Sequence, residues 1–214
     1  MTKVKLSRIY KRLYAAFGKQ HWWPAETKLE VIVGAMLTQN TAWPNVEKAI
    51  SNLKKANKLS FKKLSKASAG EIAALIKPAG YFNIKAKRLK NILRFIAKSY
   101  KGSLPLMQKA DCYLLRKELL SVNGVGQETA DSILLYAFGK PVFVIDAYTK
   151  RIFSRLKMLP QDVSYEDSQK LFMDNLAKDV RLFNEYHALI VKLGKDYCRK
   201  NNPHCQECPI RDAH

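Results

Sequence analysis

The sequence predicts an all-α fold, on three observations. Apolar residues recur at helical spacing along nearly all of its 214 residues. The interruptions carry glycine, which permits positive φ, or proline, which forbids a continuing helix. The one β-like run, ProValPheValIle at 141–145, is too short to define a sheet.

Taken in order, the opening segment is basic and amphipathic, with Leu6, Ile9, Tyr10, Leu13, Tyr14 and Phe17 on one helical period. Residues 26–39 read as a helix that Thr27 could cap. Further helices are predicted at 43–56, 61–67, 69–77, 83–99 and 109–120. They continue at 128–138, 147–157, 165–177 and 181–198. Breaks fall at 77–80, 102–105, 123–126, 139–141 and 159–160. No internal repeat or low-complexity linker interrupts the pattern.

Composition narrows the function. Hydrophobic residues make up 47%, which excludes a disordered chain. Against 18 Asp+Glu stand 38 Lys+Arg, a formal net charge of +20. Thermophilic adaptation would raise Glu together with Lys, and ribosome association would also suit a basic chain. Binding to a nucleic acid explains the excess most directly, because each cation placed on a phosphate releases condensed counterions. The longest apolar runs, such as residues 31–37, are too short to span a bilayer, so no membrane partner is expected. No secretory signal is read in the first residues, and a cytoplasmic, nucleoid-associated location is expected.

Two motifs carry the chemistry. Residues 119–137 place Gly124-Val125-Gly126 between two helices, so that Val125 can plug the core while the chain turns into a helix starting near Gln127. Free N–H groups at such a start can cradle a phosphate oxygen, helped by the helix dipole; a plain helix–helix connection is the alternative. Downstream, Asp146 directly precedes a helical run. It reads as an N-cap carboxylate, a role compatible with chemistry, since a capping carboxylate is ionised and fixed in place.

GlyValGlyGlnGluThrAla at 124–130, ValIleAspAlaTyrThrLysArgIle at 144–152 and a C-terminal CysX6CysX2Cys together resemble the endonuclease III branch of the helix-hairpin-helix DNA glycosylases. The resemblance extends to LeuThrGlnAsnThr at 37–41 and TyrPheAsnIleLysAlaLysArgLeu at 81–89. It implies a two-domain helix-hairpin-helix glycosylase fold. A six-helix domain at 26–144 would contain the hairpin at 119–137, and residues 1–25 with 145–214 would form a second helical domain. It further implies that Gly124, Val125, Gly126 and Thr129 grip phosphate, that Asp146 is the catalytic carboxylate, and that the partner is double-stranded DNA containing a damaged base. A monomer is the expected state. By position Asn40 matches a wedge that fills the gap left by a flipped base, with Gln39 beside it.

One departure bears on the reaction. Bifunctional members of this family carry a Lys just before the Thr-Ala of the hairpin helix, where this chain has Glu128. A carboxylate cannot form an imine, and neither can Gln127, so hydrolysis without strand cleavage is expected. Glu128 also suits the first turn of any helix.

Trp22, Trp23 and Pro24, with Trp43, are candidates for a base pocket; core packing is the alternative for each tryptophan. TrpTrpPro, an aromatic at 43 and Glu at 128 resemble the bacterial 3-methyladenine DNA glycosylases of the endonuclease III type. A cationic alkylpurine stacks well on indole.

Cys198, Cys205 and Cys208 read as metal ligands rather than a disulfide framework. His214 occupies the place of a fourth ligand in the family pattern. Such a set could hold a 4Fe-4S cluster with one imidazole ligand, a cluster with one open iron, or Zn2+ as Cys3His; the resemblance favours 4Fe-4S. A C-terminal metal-cluster loop at 198–214 is therefore expected, acting as a staple that carries Arg199, Lys200 and Arg211. Cys112 reads as a core residue. The rival functions are a bifunctional glycosylase/lyase for oxidised pyrimidines and a DNA-binding module without activity.

Overall fold

A computed structural model describes residues 2–213, and every regular element among them is helical. α1 spans Thr2–Phe17, α2 Lys28–Leu37, α3 Trp43–Lys55, α4 Phe61–Lys66 and α5 Ala69–Leu75. α6 spans Phe82–Tyr100, α7 Leu104–Lys109, α8 Cys112–Leu120 and α9 Gln127–Ser132, and a π-helical stretch, Ile133–Ala137, continues α9. α10 (Ala147–Arg155), α11 (Tyr165–Met173) and α12 (Val180–Asp196) follow. Ala25–Gly139 forms one compact unit, and the described residues before and after it form a second. None of the described helices is long and apolar enough to cross a membrane.

Boundaries differ from the sequence reading where capping outweighs periodicity. The predicted helix at 109–120 begins only at Cys112, and a short helix the sequence reading missed, α7, precedes it. Pro105 sits in the first turn of α7, where a missing N–H costs nothing, and the Ser103 hydroxyl accepts from Leu106 N. Asp111 then caps α8, accepting from Tyr113 N (2.9 Å) and Leu114 N (3.0 Å). Cys112, expected in the core, is only half-buried, because that cap makes it the first residue of α8.

The unit Ala25–Gly139 is built around α2, whose residues from Leu29 to Leu37 are all buried. Thr27 caps it by accepting from Glu30 N (3.1 Å). α2 packs on α3, α6, α9 and the π-helical stretch. At its far end Lys85, 2% exposed, donates to Leu37 O (2.9 Å) and Ala79 O (2.8 Å). One ammonium thus satisfies carbonyls of two turns, the end of α2 that leads into the loop at 38–42 and the turn at 77–80 that leads into α6.

The hairpin between α8 and α9 is held from three sides. Val122 and Val125 are buried, and Val125 N donates to Val122 O at 2.9 Å. Gly124 has φ +95°, and a Cβ there would meet Arg88 Cγ at 2.3 Å. Gln39 donates to Gly124 O (2.9 Å) and Thr129 Oγ1 (3.1 Å), while Arg88 donates to Gln39 Oε1 (2.6 Å). Asn91 donates to Asn123 O at 3.1 Å. Gly126, by contrast, is extended (φ −91°, ψ 176°), with nothing within 4 Å of a would-be Cβ. Below the turn, Arg116 makes a two-point contact with the fully buried Asp131, at 2.6 and 3.0 Å.

The second unit packs α12 against α1 and α10. Its core is aromatic: Phe143 stacks on Phe172 at 3.9 Å between centroids and meets Phe183 and Tyr186 edge-on. The Tyr186 hydroxyl donates to Leu6 O at 3.0 Å, tying α12 to α1. The run at 141–145 is extended but pairs with no strand. Side chains serve its backbone instead: Phe143 N donates to Met173 Sδ (3.4 Å), Gln169 donates to Phe143 O (2.7 Å), and Ile145 N donates to Tyr165 OH (3.3 Å).

Two stability measurements follow. Arg116→Met strips the buried Asp131 carboxylate of its guanidinium and should lower the urea unfolding free energy by about 3 kcal/mol. Burial, then the charge of Arg88, pushes the Lys85 ammonium down to about 8. From there up to the ordinary lysine value of about 10.4, the unfolded chain keeps a proton that the folded one has lost, so stability rises with pH. The unfolding free energy of wild type relative to Lys85→Met should therefore climb between about pH 8 and pH 10.4 and be flat below that window.

Candidate active site

The extended run delivers Asp146 to the N-terminus of α10, at φ −116° and ψ −179°. Its Oδ1 accepts from both Thr149 N and Thr149 Oγ1, each at 2.7 Å. Its Oδ2 lies 3.6 Å from His187 Nε2 on α12, and the two side chains are 10% and 8% exposed. Burial alone would raise the carboxyl's pKa, but contact with His187 and then the Thr149 hydrogen bonds outweigh it and hold the group below its ordinary value. The result is a fixed anion in a nearly dry setting. Such a group can stabilise a developing cation or take a proton from water.

Within the unit Ala25–Gly139 the hairpin residues Gly124, Val125 and Thr129 stand together with Gln39. The Gln39 side chain is engaged by the hairpin and Arg88, whereas its neighbour Asn40 is exposed and left-handed, with φ +52°. Glu128 is exposed in the first turn of α9. Trp43 opens α3 half-buried, and its indole N–H donates to Glu47 Oε1 at 2.6 Å. In the other unit Trp22 and Trp23 are half-buried neighbours, with ring centroids 5.0 Å apart and planes tilted by 47°, followed by the exposed Pro24.

The cysteine loop leaves α12 at Cys198, whose N–H donates to Leu193 O at 2.8 Å. Two arginines of α10 hold it. Arg151 donates to Cys198 O (2.9 Å) and Gly194 O (3.0 Å). Arg155 donates to Cys198 Sγ (3.2 Å), Arg199 O (2.7 Å) and Lys200 O (3.0 Å). Burial raises the Cys208 thiol, with Cys198 and Cys205 adding to the rise and a backbone hydrogen bond from Ile210 opposing it. Among the described residues no three His, Cys, Asp or Glu side chains already converge on one metal position. His214 lies outside the described residues. Three thiols close enough to influence one another remain a donor set suited to a thiophilic metal or an iron–sulfur cluster.

His187, Arg88, Lys85 and the Arg116–Asp131 pair escape a motif reading. A faint signal for His187 exists: it shares a helical face with the apolar Phe183 and Ile190, which marks it as buried.

Comparison with known proteins bears on this arrangement. The description of the HhH-GPD superfamily base excision DNA repair proteins matches residues 33–178. A Methanocaldococcus jannaschii protein, provisionally named a DNA repair glycosylase, is 51% identical over 96% of this chain and 93% of its own. Endonuclease III of Sulfolobus acidocaldarius is 31% identical over 85% of this chain and 78% of its own. The crystal structure of the H. pylori 3-methyladenine DNA glycosylase bound to 1,N6-ethenoadenine superposes with a TM-score of 0.78 at 29% identity, covering 89% of this chain and 97% of that one. The chain belongs to the HhH-GPD superfamily of base excision DNA repair proteins, within the endonuclease III family of helix-hairpin-helix glycosylases.

Proposed function

We propose that this chain is a monofunctional DNA glycosylase that excises alkylated purines of the 3-methyladenine type from double-stranded DNA by hydrolysis. One observation carries the reading. A fixed, ionised carboxylate, Asp146, is present, while the hairpin position that would supply an amine nucleophile is Glu128.

The damaged base leaves the stack and enters a pocket, because its glycosidic bond is out of reach inside the duplex. As the C1′–N bond breaks, its electron pair leaves with the base, and the sugar gains oxocarbenium character that the Asp146 anion stabilises. Water then forms the O–C1′ bond and gives its proton to the carboxylate. An alkylated purine already carries positive charge and leaves without strong acid assistance.

Substrate class rests on the aromatics. An indole suits a flat cationic ring, and Trp22 and Trp23 in one unit and Trp43 in the other are each candidates for that role; Glu47 at the Trp43 N–H makes that indole richer in electrons. The H. pylori relative, a 3-methyladenine glycosylase, supports the same class. On the strand beside the lesion, the phosphate contact falls to the hairpin, where the open space at Gly126 lets a ligand approach the backbone. Asn40 would fill the gap left by the flipped base.

Cys198, Cys205 and Cys208, with His214, would hold a 4Fe-4S cluster, with Zn2+ as the alternative for the same donors. When bound, the group supplies a covalent staple for the loop. The loop's own Arg199, Lys200 and Arg211 add positive charge for phosphates.

Base release tests the activity. Methylated duplex DNA should yield free alkylpurine, thymine-glycol DNA should not, and Asp146→Asn should slow release by about a hundredfold or more. Borohydride should trap no enzyme–DNA adduct; a trapped adduct that one Lys substitution abolishes would overturn the monofunctional reading. Wild-type DNA binding without any base release would assign a binding module instead. Iron and sulfide analysis with visible absorption decides the metal: a brown protein that loses colour in Cys205→Ala fits the cluster, and a colourless zinc protein refutes it.

A further inference from the structure

A buried imidazole needs a polar partner, since burying its N–H unmet costs free energy. His187 is 6% exposed, on the face of α12 that also carries the fully buried Phe183 and Ile190. Its Nε2 points to Asp146 Oδ2 across 3.6 Å. The two oxygens of that carboxylate are used differently. Oδ1 is saturated by two donors of Thr149, as a helix cap requires. Oδ2 is the oxygen left for chemistry, and the group beside it is an imidazole rather than a cap.

Charged and titratable groups on the neighbouring turns have partners of their own, and the Tyr148 ring on α10 lies under the Arg151 guanidinium. On α10, Lys150 donates to Val163 O, and Arg151 donates to Gly194 O and Cys198 O. On α11, the Tyr165 hydroxyl accepts from Ile145 N. On α12 itself, Glu185 accepts from Gln20 N, and Tyr186 donates to Leu6 O.

We propose that His187 is a positioning residue of the glycosylase reaction, holding Asp146 Oδ2 in the orientation and the ionised state that the reaction uses. The inference rests on the reading of Asp146 as the catalytic carboxylate. An N–H at Nε2 faces Oδ2 in the imidazolium and in the Nε2–H tautomer alike, so orientation survives loss of the charge. The charge acts on ionisation: an imidazolium at this distance favours the carboxylate anion. Two substitutions separate the effects. His187→Gln keeps an N–H donor and removes the charge; His187→Leu removes both.

Single-turnover release of alkylpurine from methylated duplex DNA, followed across pH 4 to 9 with melting temperature as a folding control, tests the proposal. Asp146 works as an anion whose pKa is held below the ordinary carboxyl value in the fold, so the carboxylate stays ionised in wild type and its rate shows no acid limb across this range. Without the His187 side chain burial is less opposed and the carboxylate takes its proton at higher pH, so an acid limb should enter the range from below in both variants. At the plateau His187→Leu should be slower by about tenfold, and His187→Gln should recover most of the loss. Affinity for the same DNA should be unchanged in both. Full release by Asp146→Asn would sink the catalytic reading itself. An inactive Asp146→Asn beside His187 variants with wild-type rate and pH profile would overturn the role of His187 alone. So would a loss equal at every pH and matched by weaker DNA binding, the mark of a merely structural histidine. Should His187→Leu fail to fold, the displaced acid limb of His187→Gln decides.

Discussion

A buried extended segment cannot leave its peptide groups unpaired, and that constraint organises the half of the molecule that carries Asp146. Residues 142–145 are buried, yet they have no neighbouring strand. Met173, Gln169 and Tyr165, all on or at the end of α11, take the place of a ladder. Phe143, anchored in the aromatic cluster, sets how far the chain runs before α10 begins. Asp146 thereby reaches the helix start with its backbone already extended, as an N-cap must be, and Thr149 completes the cap. The carboxylate owes its fixed place to the Thr149 cap together with the side chains of α11 that hold the segment leading to it.

The hairpin solves a different problem by close approach. Arg88 lies where a side chain at position 124 would be, so glycine is required there for space as well as for its positive φ. The same arginine reaches Gln39, and Gln39 reaches the hairpin. Three segments remote in sequence are thus locked through one amide side chain. Asp131 and Arg116 secure the helices that frame the turn.

Much of this was legible in the residues. Helical period and Gly/Pro punctuation mark the all-α class, and Asp146 followed by a helical run reads as the cap that the structure contains. The β-like run at 141–145 is a genuine extended segment, but composition cannot say whether another strand or a set of side chains will pair with it. α7 was hidden because Pro105 reads as a breaker unless its position in the first turn is known. Lys85 reads as one more solvated cation in a basic stretch; only the fold turns its ammonium onto two carbonyls. His187 offers a spacing and nothing more, since its partner lies forty-one residues away in sequence.

The Lys85 bridge has an entropic side. Beyond the two carbonyls it binds come Asn40 and Tyr81, both left-handed, the first exposed and the second 71% exposed. A flexible loop that orders on meeting a ligand loses backbone freedom of about 1–2 kcal/mol per residue. Here that freedom is surrendered at folding, when one buried ammonium pins both turns. The two side chains stand on prepared ground, and contact with any partner need restrict only their own rotamers.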